Sequence, residues 1–175
     1  SPLAFTIGVY LVCLGATFEW KTALLTSGRR MSQWPISVAI VGMGIATWYG
    51  EAEGLIVALL VGCAGVVAWR VVDERIENTL ADSLASMFTL LWIPFLASFF
   101  VLLEQAHNGW QRVFIVIFAV VGNDTGALAA GMLFGKHKMA PKISPNKTWE
   151  GFAGGILLGT IASAVLAYFI LDGAW

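Results

Sequence analysis

Val113-Phe114-Ile115-Val116-Ile117-Phe118-Ala119-Val120-Val121-Gly122-Asn123-Asp124-Thr125-Gly126-Ala127-Leu128-Ala129-Ala130-Gly131-Met132-Leu133-Phe134 is the stretch on which the fold turns. It carries one ionisable residue, Asp124, and is otherwise apolar or small. A helix needs about 20 such residues to cross the hydrocarbon core of a bilayer, so the stretch reads as a membrane span. Five more apolar runs surround it, at residues 2–18, 34–50, 54–69, 80–103 and 152–171. The expected fold is therefore all-α: a polytopic integral membrane protein of about six transmembrane helices, with residues 1–175 forming a single transmembrane domain. Composition agrees, since 58% of residues are hydrophobic and 12% charged, against about 25% charged in a soluble domain. A soluble globular domain and a disordered chain are both excluded. The net charge of −1 argues against general nucleic-acid binding.

The connections between the runs set the topology. Lys21, Arg29 and Arg30 fall in the first, Arg70 and Arg75 in the third, and Lys136, Lys138, Lys142 and Lys147 in the fifth; the even connections hold only Arg112. Basic residues mark cytoplasmic loops, so connections one, three and five are expected inside and both termini outside. Residues 19–33 could form a short interfacial helix, since Trp20, Leu24 and Leu25 recur at helical spacing, or a solvated connection. Trp34, Trp48, Trp69, Trp110, Trp149 and Trp175 fall at or near span ends, as an interfacial aromatic belt requires. Cys13 and Cys63 both lie inside apolar runs and point to neither a disulfide framework nor a zinc site. The first run lacks the basic flank of a cleavable signal peptide. A chain starting with Ser and stopping four residues after its last run is expected to be the N-terminal and central part of a longer protein.

Chemistry concentrates in two places. Asp82 and Asp124 are the ionisable residues that fall within spans, where a charge costs at least ~2.5–3.5 kcal/mol and a functional role is the default. Asp82 lies near the start of its helix, where a carboxylate also suits the N-terminal dipole, so a capping or interfacial role is expected. Asp124 sits in mid-span among Asn123 and Thr125, between Gly122 and Gly126, which suggests a broken or close-packed helix. A hydrogen-bonded knot between helices is one reading of it; contact with a metal or substrate is the other.

The second concentration is the fifth connection, Gly135-Lys136-His137-Lys138-Met139-Ala140-Pro141-Lys142-Ile143-Ser144-Pro145-Asn146-Lys147-Thr148-Trp149-Glu150-Gly151. Cations and hydroxyls leading into a helix N-terminus suit a polyphosphate or a phospholipid headgroup. A plain juxtamembrane basic patch would need the lysines but not this order of Ser, Pro, Thr and Glu among them. His137, between two lysines and without a Cys or His neighbour, reads as a surface residue. Glu150 reads either as an acidic residue of the last helix's first turn or as a partner that orients a lysine.

The runs Gly122-Asn123-Asp124-Thr125-Gly126-Ala127, Phe134-Gly135-Lys136-His137-Lys138 and Pro141 to Phe152 together resemble bacterial phosphatidate cytidylyltransferases, the CDP-diacylglycerol synthases. That family's pattern is close to Ala-Asp-(Ser/Thr)-Gly-Ala-Tyr, then Gly-(Lys/Arg)-x-(Lys/Arg), then Ser-Pro-x-Lys-Thr-x-Glu-Gly. Asn123 stands where the family usually has a small residue and Leu128 where an aromatic is common. The family's longer C-terminal signature has no match before Trp175, so this chain alone is expected to lack part of the active site. The resemblance implies CMP transfer from CTP to phosphatidate, giving CDP-diacylglycerol and diphosphate. It implies Asp124 and Lys147 as catalytic residues, with Asp124 on the metal, Lys136, Lys138 and Lys142 on substrate phosphates, and Ser144 and Thr148 donating to phosphate oxygens. Magnesium is the expected ion, because carboxylate and phosphate are hard oxygen ligands. The expected partners are CTP, phosphatidate and the bilayer, with no nucleic acid; a homodimer is an allowed assembly. The expected location is the inner membrane with the lysine loop cytoplasmic, and Asp124 about 17 Å before that loop implies a hydrated cavity open to cytoplasm and inner leaflet. Two other classes compete: a CTP-dependent polyprenol or dolichol kinase, and a transporter that uses Asp124 for ion coupling.

Overall fold

The structure, a computed structural model, describes residues 1–73 and 78–171; Arg75 of the third connection and Trp175 of the aromatic belt lie outside them. Two compact units divide the chain, Ser1–Gln105 and Ala106–Trp175. Five helices among the described residues are long and apolar enough to cross a membrane. The all-α membrane fold expected from the apolar runs is therefore what the chain adopts.

In the first unit, α1 (Pro2–Thr26) runs eight residues beyond the apolar stretch that announces it. Nothing between Phe18 and Thr26 breaks a helix, so Trp20, Lys21, Leu24 and Leu25 continue α1 and do not form a separate interfacial helix. The stop comes at Gly28. Its φ of 76° is left-handed, and the Arg29 and Gly28 amides donate back to the Leu24 and Leu25 carbonyls. A glycine tolerates that geometry without a Cβ penalty.

The next helix, α2 (Gln33–Val72), has 40 residues, about 60 Å of rise, or twice a hydrocarbon core. It does not run straight. At Glu51 the backbone leaves helical geometry (φ 49°, ψ −138°), and the residues on either side pair back on each other. A Cβ at Gly62 would meet the Ala39 Cβ at 3.0 Å, and one at Gly54 would run into the Ala46 carbonyl oxygen. These contacts join an antiparallel hairpin of two arms, residues 33–50 and 52–72, each long enough to cross. The six expected spans and the five long helices differ only in that the two arms joined at Glu51 make up one of the five.

Helix α3 (Thr79–Leu90) passes through a π-helical turn at Leu91–Phe95 into α4 (Leu96–Gln105). Pro94 sits in that turn; it has no N–H for the helical ladder, and the widened turn absorbs the missing bond.

Inside the unit, polar side chains do much of the joining. The Tyr10 hydroxyl lies 2.6 Å from Ser98 Oγ and donates to Thr47 Oγ1 at 3.0 Å, tying α1 to α2 and α4. Trp20 Nε1 donates to Thr89 Oγ1 at 3.0 Å. Thr17, Thr47, Thr89 and Ser98 are fully buried, whereas Val12, Val38, Val61 and Tyr49 are exposed. Such an inside-out distribution fits lipid surroundings, where apolar burial between helices contributes little and small polar contacts supply the specificity. Both cysteines are free.

The second unit is α5 (Gly109–Phe134), a two-stranded antiparallel sheet of β1 (Lys138–Ala140) and β2 (Ser144–Thr148), and α6 (Trp149–Ile170). The aromatics expected at span ends include Trp110, in the first turn of α5, and Trp149, at the start of α6.

The α2 hairpin yields a paired expectation. Gly54→Ala should lower the thermal stability of the detergent-solubilised protein by about 1–3 kcal/mol, the usual cost of overpacking. Gly50→Ala, with open space around its Cβ position, should change stability far less. Equal melting temperatures for the two variants would contradict the hairpin.

Candidate functional site

Helix α5 is continuous through Gly122–Gly126, so of the two geometries suggested by the sequence it takes the close-packed one. Its glycines face those of α6. A Cβ at Gly126 would lie 2.5 Å from the Gly154 carbonyl oxygen, and one at Gly122 would lie 3.3 Å from Gly159 Cα. From the other side, a Cβ at Gly155 would lie 2.8 Å from the Asn123 carbonyl oxygen and one at Gly159 would lie 2.9 Å from that of Ala119. Gly151, Gly155 and Gly159 recur every fourth residue, so one edge of α6 has no side chains and the two backbones come into contact.

Asp124 lies two residues from Gly126, about 200° around the helix, and so points away from this seam. It is exposed, as are Asn123 and Thr125. Its carboxylate has no hydrogen-bond or ion-pair partner among the described residues.

The cytoplasmic-type loop read from the sequence is a hairpin with a defined root. Thr148 is the N-cap of α6: its Oγ1 accepts from the Gly151 amide at 3.1 Å, and it is buried. It also rests against Gly135, where an added Cβ would meet Thr148 Oγ1 at 3.0 Å. A threonine immediately before an apolar run is a helix-start signal, and this part of the Thr148 role was open to sequence reasoning. Lys138 pairs with Thr148 and Ala140 with Ser144, with an irregularity between the two pairs. Pro145 lies in that irregular stretch, where a residue unable to donate to the ladder belongs. At the tip, the Ile143 amide donates to the Ala140 carbonyl at 3.1 Å, a β-turn with Pro141 at its second position and Lys142 at its third.

Glu150 fits neither of the two roles read for it in full. It does sit in the first turn of α6, but its carboxylate reaches back to accept the Lys136 amide at 3.2 Å and the His137 amide at 3.2 Å. His137 Nδ1 lies 2.6 Å from Glu150 Oε1, and the Trp149 amide donates to the His137 carbonyl at 3.0 Å. Glu150 thus holds the backbone from which Lys136 and Lys138 project and leaves their ammonium groups free. His137 is exposed, as expected, but not idle.

The hairpin brings Lys136, Lys138, Lys142, Lys147, Ser144 and Thr148 together on 13 residues. All four lysines are exposed, Ser144 is half-buried, and none of the lysines forms an ion pair among the described residues. Asp124 is not at the hairpin. Gly131, the α5 position beside Thr148, is seven residues further on, about 10 Å of helix rise. The described residues contain no group of three or more His, Cys, Asp or Glu able to hold a metal. Asp124 therefore offers one hard oxygen ligand, by itself too few to fix a metal ion.

The cytidylyltransferase family model matches residues 1–174. The chain belongs to the cytidylyltransferase family. Among curated relatives of this chain, the phosphatidate cytidylyltransferase of Mycobacterium leprae is 46% identical over 97% of the chain and 61% of its own length. That of Mycobacterium tuberculosis is 33% identical over 97% of the chain and 56% of its own length. The Haemophilus influenzae enzyme of the same name is 35% identical over 53% of the chain and 33% of its own length. The chain thus spans about three-fifths of the length of the mycobacterial relatives it matches. No solved structure matches it significantly.

Replacing Glu150 by Ala should speed hydrogen exchange at the Lys136 and His137 amides, while Lys147→Ala leaves those amides protected. Equal exchange in the two variants would show that Glu150 does not hold the hairpin root.

Proposed function

We propose that the full-length protein transfers CMP from CTP to phosphatidate, forming CDP-diacylglycerol and diphosphate in phospholipid synthesis. The supporting observation is the pairing, on one tightly packed helix pair, of an unpartnered mid-span carboxylate with a hairpin of unpaired lysines. Buried or membrane-depth charge without a partner is costly, and a polyanionic substrate that brings its own counter-ion supplies the partner to both.

In this reading a phosphate oxygen of phosphatidate attacks the α-phosphorus of CTP. The bond from that phosphorus to the β-bridging oxygen breaks, and diphosphate leaves with the electron pair. Lys136, Lys138, Lys142 and Lys147 bind and neutralise the phosphates, and the charge spread over them in the transition state is where their stabilisation counts most. Ser144 donates a hydroxyl hydrogen bond. Thr148 accepts from Gly151 with one lone pair, which leaves its O–H as a donor to phosphate at the α6 N-terminus, itself a favourable place for an anion. Glu150 keeps the hairpin root in register. Asp124 would hold a divalent cation, magnesium by its ligand chemistry, which adds Lewis-acid charge neutralisation when bound. The ~10 Å between Asp124 and the hairpin root implies a hydrated path along α5, from the cytoplasm and open to the inner leaflet. In this orientation the hairpin is cytoplasmic and the membrane is the inner one, following the distribution of basic residues.

Membranes containing the full-length protein should incorporate label into lipid from CTP labelled at the α-phosphorus and not from CTP labelled at the γ-phosphorus. Incorporation from the γ-position would indicate a kinase, and incorporation from neither would leave a transporter in place of an enzyme. Asp124→Ala and Lys147→Ala should each lower CDP-diacylglycerol formation by about a hundredfold or more, the scale of losing one transition-state contact, with expression unchanged. Wild-type turnover in either variant would remove that residue from the mechanism.

A further inference from the structure

The first unit contains a pair of joined cavities that the reaction above does not use. One, of about 1170 Å³, is lined by polar and charged groups where α1 ends and α2 begins. Among its described lining residues are four cations, Lys21, Arg29, Arg30 and Arg70, and two carboxylates, Asp73 and Asp82. The other, of about 1010 Å³, is an apolar trough along the two arms of α2, walled by valines such as Val38 and Val61 and open at Gly42 and Gly65. Trp34 and Trp69 line both.

The floor of the charged basin is built, and built from buried charges. Asp82 is 5% exposed, and its Oδ1 accepts the Arg30 amide at 3.0 Å. It sits in the first turn of α3, where a carboxylate suits the helix dipole as the sequence had suggested, and its side chain crosses to the α1–α2 connection. Arg70 is 9% exposed; its Nη2 donates to the Arg30 carbonyl at 3.0 Å, and its Nη1 lies 3.5 Å from Asp73 Oδ2. The peptide groups on both sides of Arg30 are therefore clamped by two buried ions, a costly arrangement to maintain for a plain connection. It leaves the side chains of Lys21, Arg29 and Arg30 unpaired among the described residues. Gln33 also lines the basin; its Nε2 is engaged by Thr17, but its Oε1 is buried with no partner.

We propose that this pair of cavities holds one anionic phospholipid of the surrounding bilayer. Its phosphate lies among Lys21, Arg29 and Arg30, and an acyl chain lies in the α2 trough past Trp34 and Trp69. Two features select this occupant. Unpaired cations require an anion. The trough, from Trp34 to Gly50, follows about 24 Å of helix, enough for a long acyl chain, and Glu53 is its one charged lining residue among the described residues. A helix of another protein would fill the trough and leave the basin uncompensated. Phosphatidylglycerol combines the phosphate and the chain. This site is in a different unit from Asp124 and the lysine hairpin, and the inference does not rest on the cytidylyltransferase reaction.

The test is native mass spectrometry of the purified protein in detergent, without CTP, titrated with phosphatidylglycerol, phosphatidylcholine or inorganic phosphate. One phosphatidylglycerol per chain should be retained, and phosphatidylcholine and inorganic phosphate should be retained least. Replacing Arg29 and Arg30 by Ala should weaken phosphatidylglycerol retention about tenfold or more. Gly42→Leu and Gly65→Leu place side chains in open space and should block the trough with the same result. Gly15→Leu, equally open but on α1, should retain lipid as the wild type does and controls for folding. Equal retention of phosphatidylcholine, or unchanged retention in both the arginine and the trough variants, would overturn the proposal. So would a change of oligomeric state in Gly42→Leu with lipid retention unchanged, since the trough would then be a protein interface.

Discussion

Backbone contact between α5 and α6 is the constraint on which the second unit depends. Without side chains at Gly122, Gly126, Gly151, Gly155 and Gly159, the two helices approach until carbonyl oxygens of one lie under glycines of the other. In lipid this contact draws on dispersion and close packing, because burying apolar surface between helices gains little there. Its consequence is positional. Seven residues after Asp124, Gly131 lies beside Thr148, which starts α6. The depth of the carboxylate relative to the lysine hairpin is thereby set by two helices that cannot slide past one another without a side chain meeting a backbone.

The hairpin depends on the same contact. Thr148 spends one lone pair on the α6 N-terminus and its methyl on Gly135, and Glu150, two residues further, holds the amides of Lys136 and His137. Four cations on 13 residues repel one another, and a loop of that composition would ordinarily spread. Here its two ends are fixed to one helix terminus. The lysines are presented from a short sheet whose position follows from the glycine seam.

Span number was legible in the sequence because it depends on run length, a local property. The reversal at Glu51 was legible for a related reason: three residues with two carboxylates interrupt two apolar runs. The α1 end was misplaced because hydropathy ends at Phe18 while helix formation does not; the terminating signal was Gly28. The hairpin was legible as a rigid loop from Pro141 and Pro145, but its strand register depends on Thr148 meeting Gly131 and Gly135, contacts between residues far apart in sequence. Glu150 could be assigned to a helix start or to a lysine; holding a neighbouring backbone is a tertiary role that no spacing announces. The clamp on Arg30 by Asp82 and Arg70 was equally hidden, since 52 residues separate Asp82 from Arg30. Family membership, by contrast, rested on a short ordered string of residues, Gly122 to Phe152, and the family match extends over nearly the whole chain.

The central claim is that Asp124, in mid-span, and the lysine hairpin, at the end of the same helix pair, act on the same substrate. A double-mutant cycle in the full-length protein tests it directly, using Asp124→Glu, Lys147→Arg and the combination, with kcat/KM for CTP as the readout. If both residues bind the same polyphosphate, the cycle should show a coupling of about 1 kcal/mol or more, as residues of one network do. Losses that add to within about 0.5 kcal/mol, the behaviour of independent sites, would contradict the claim.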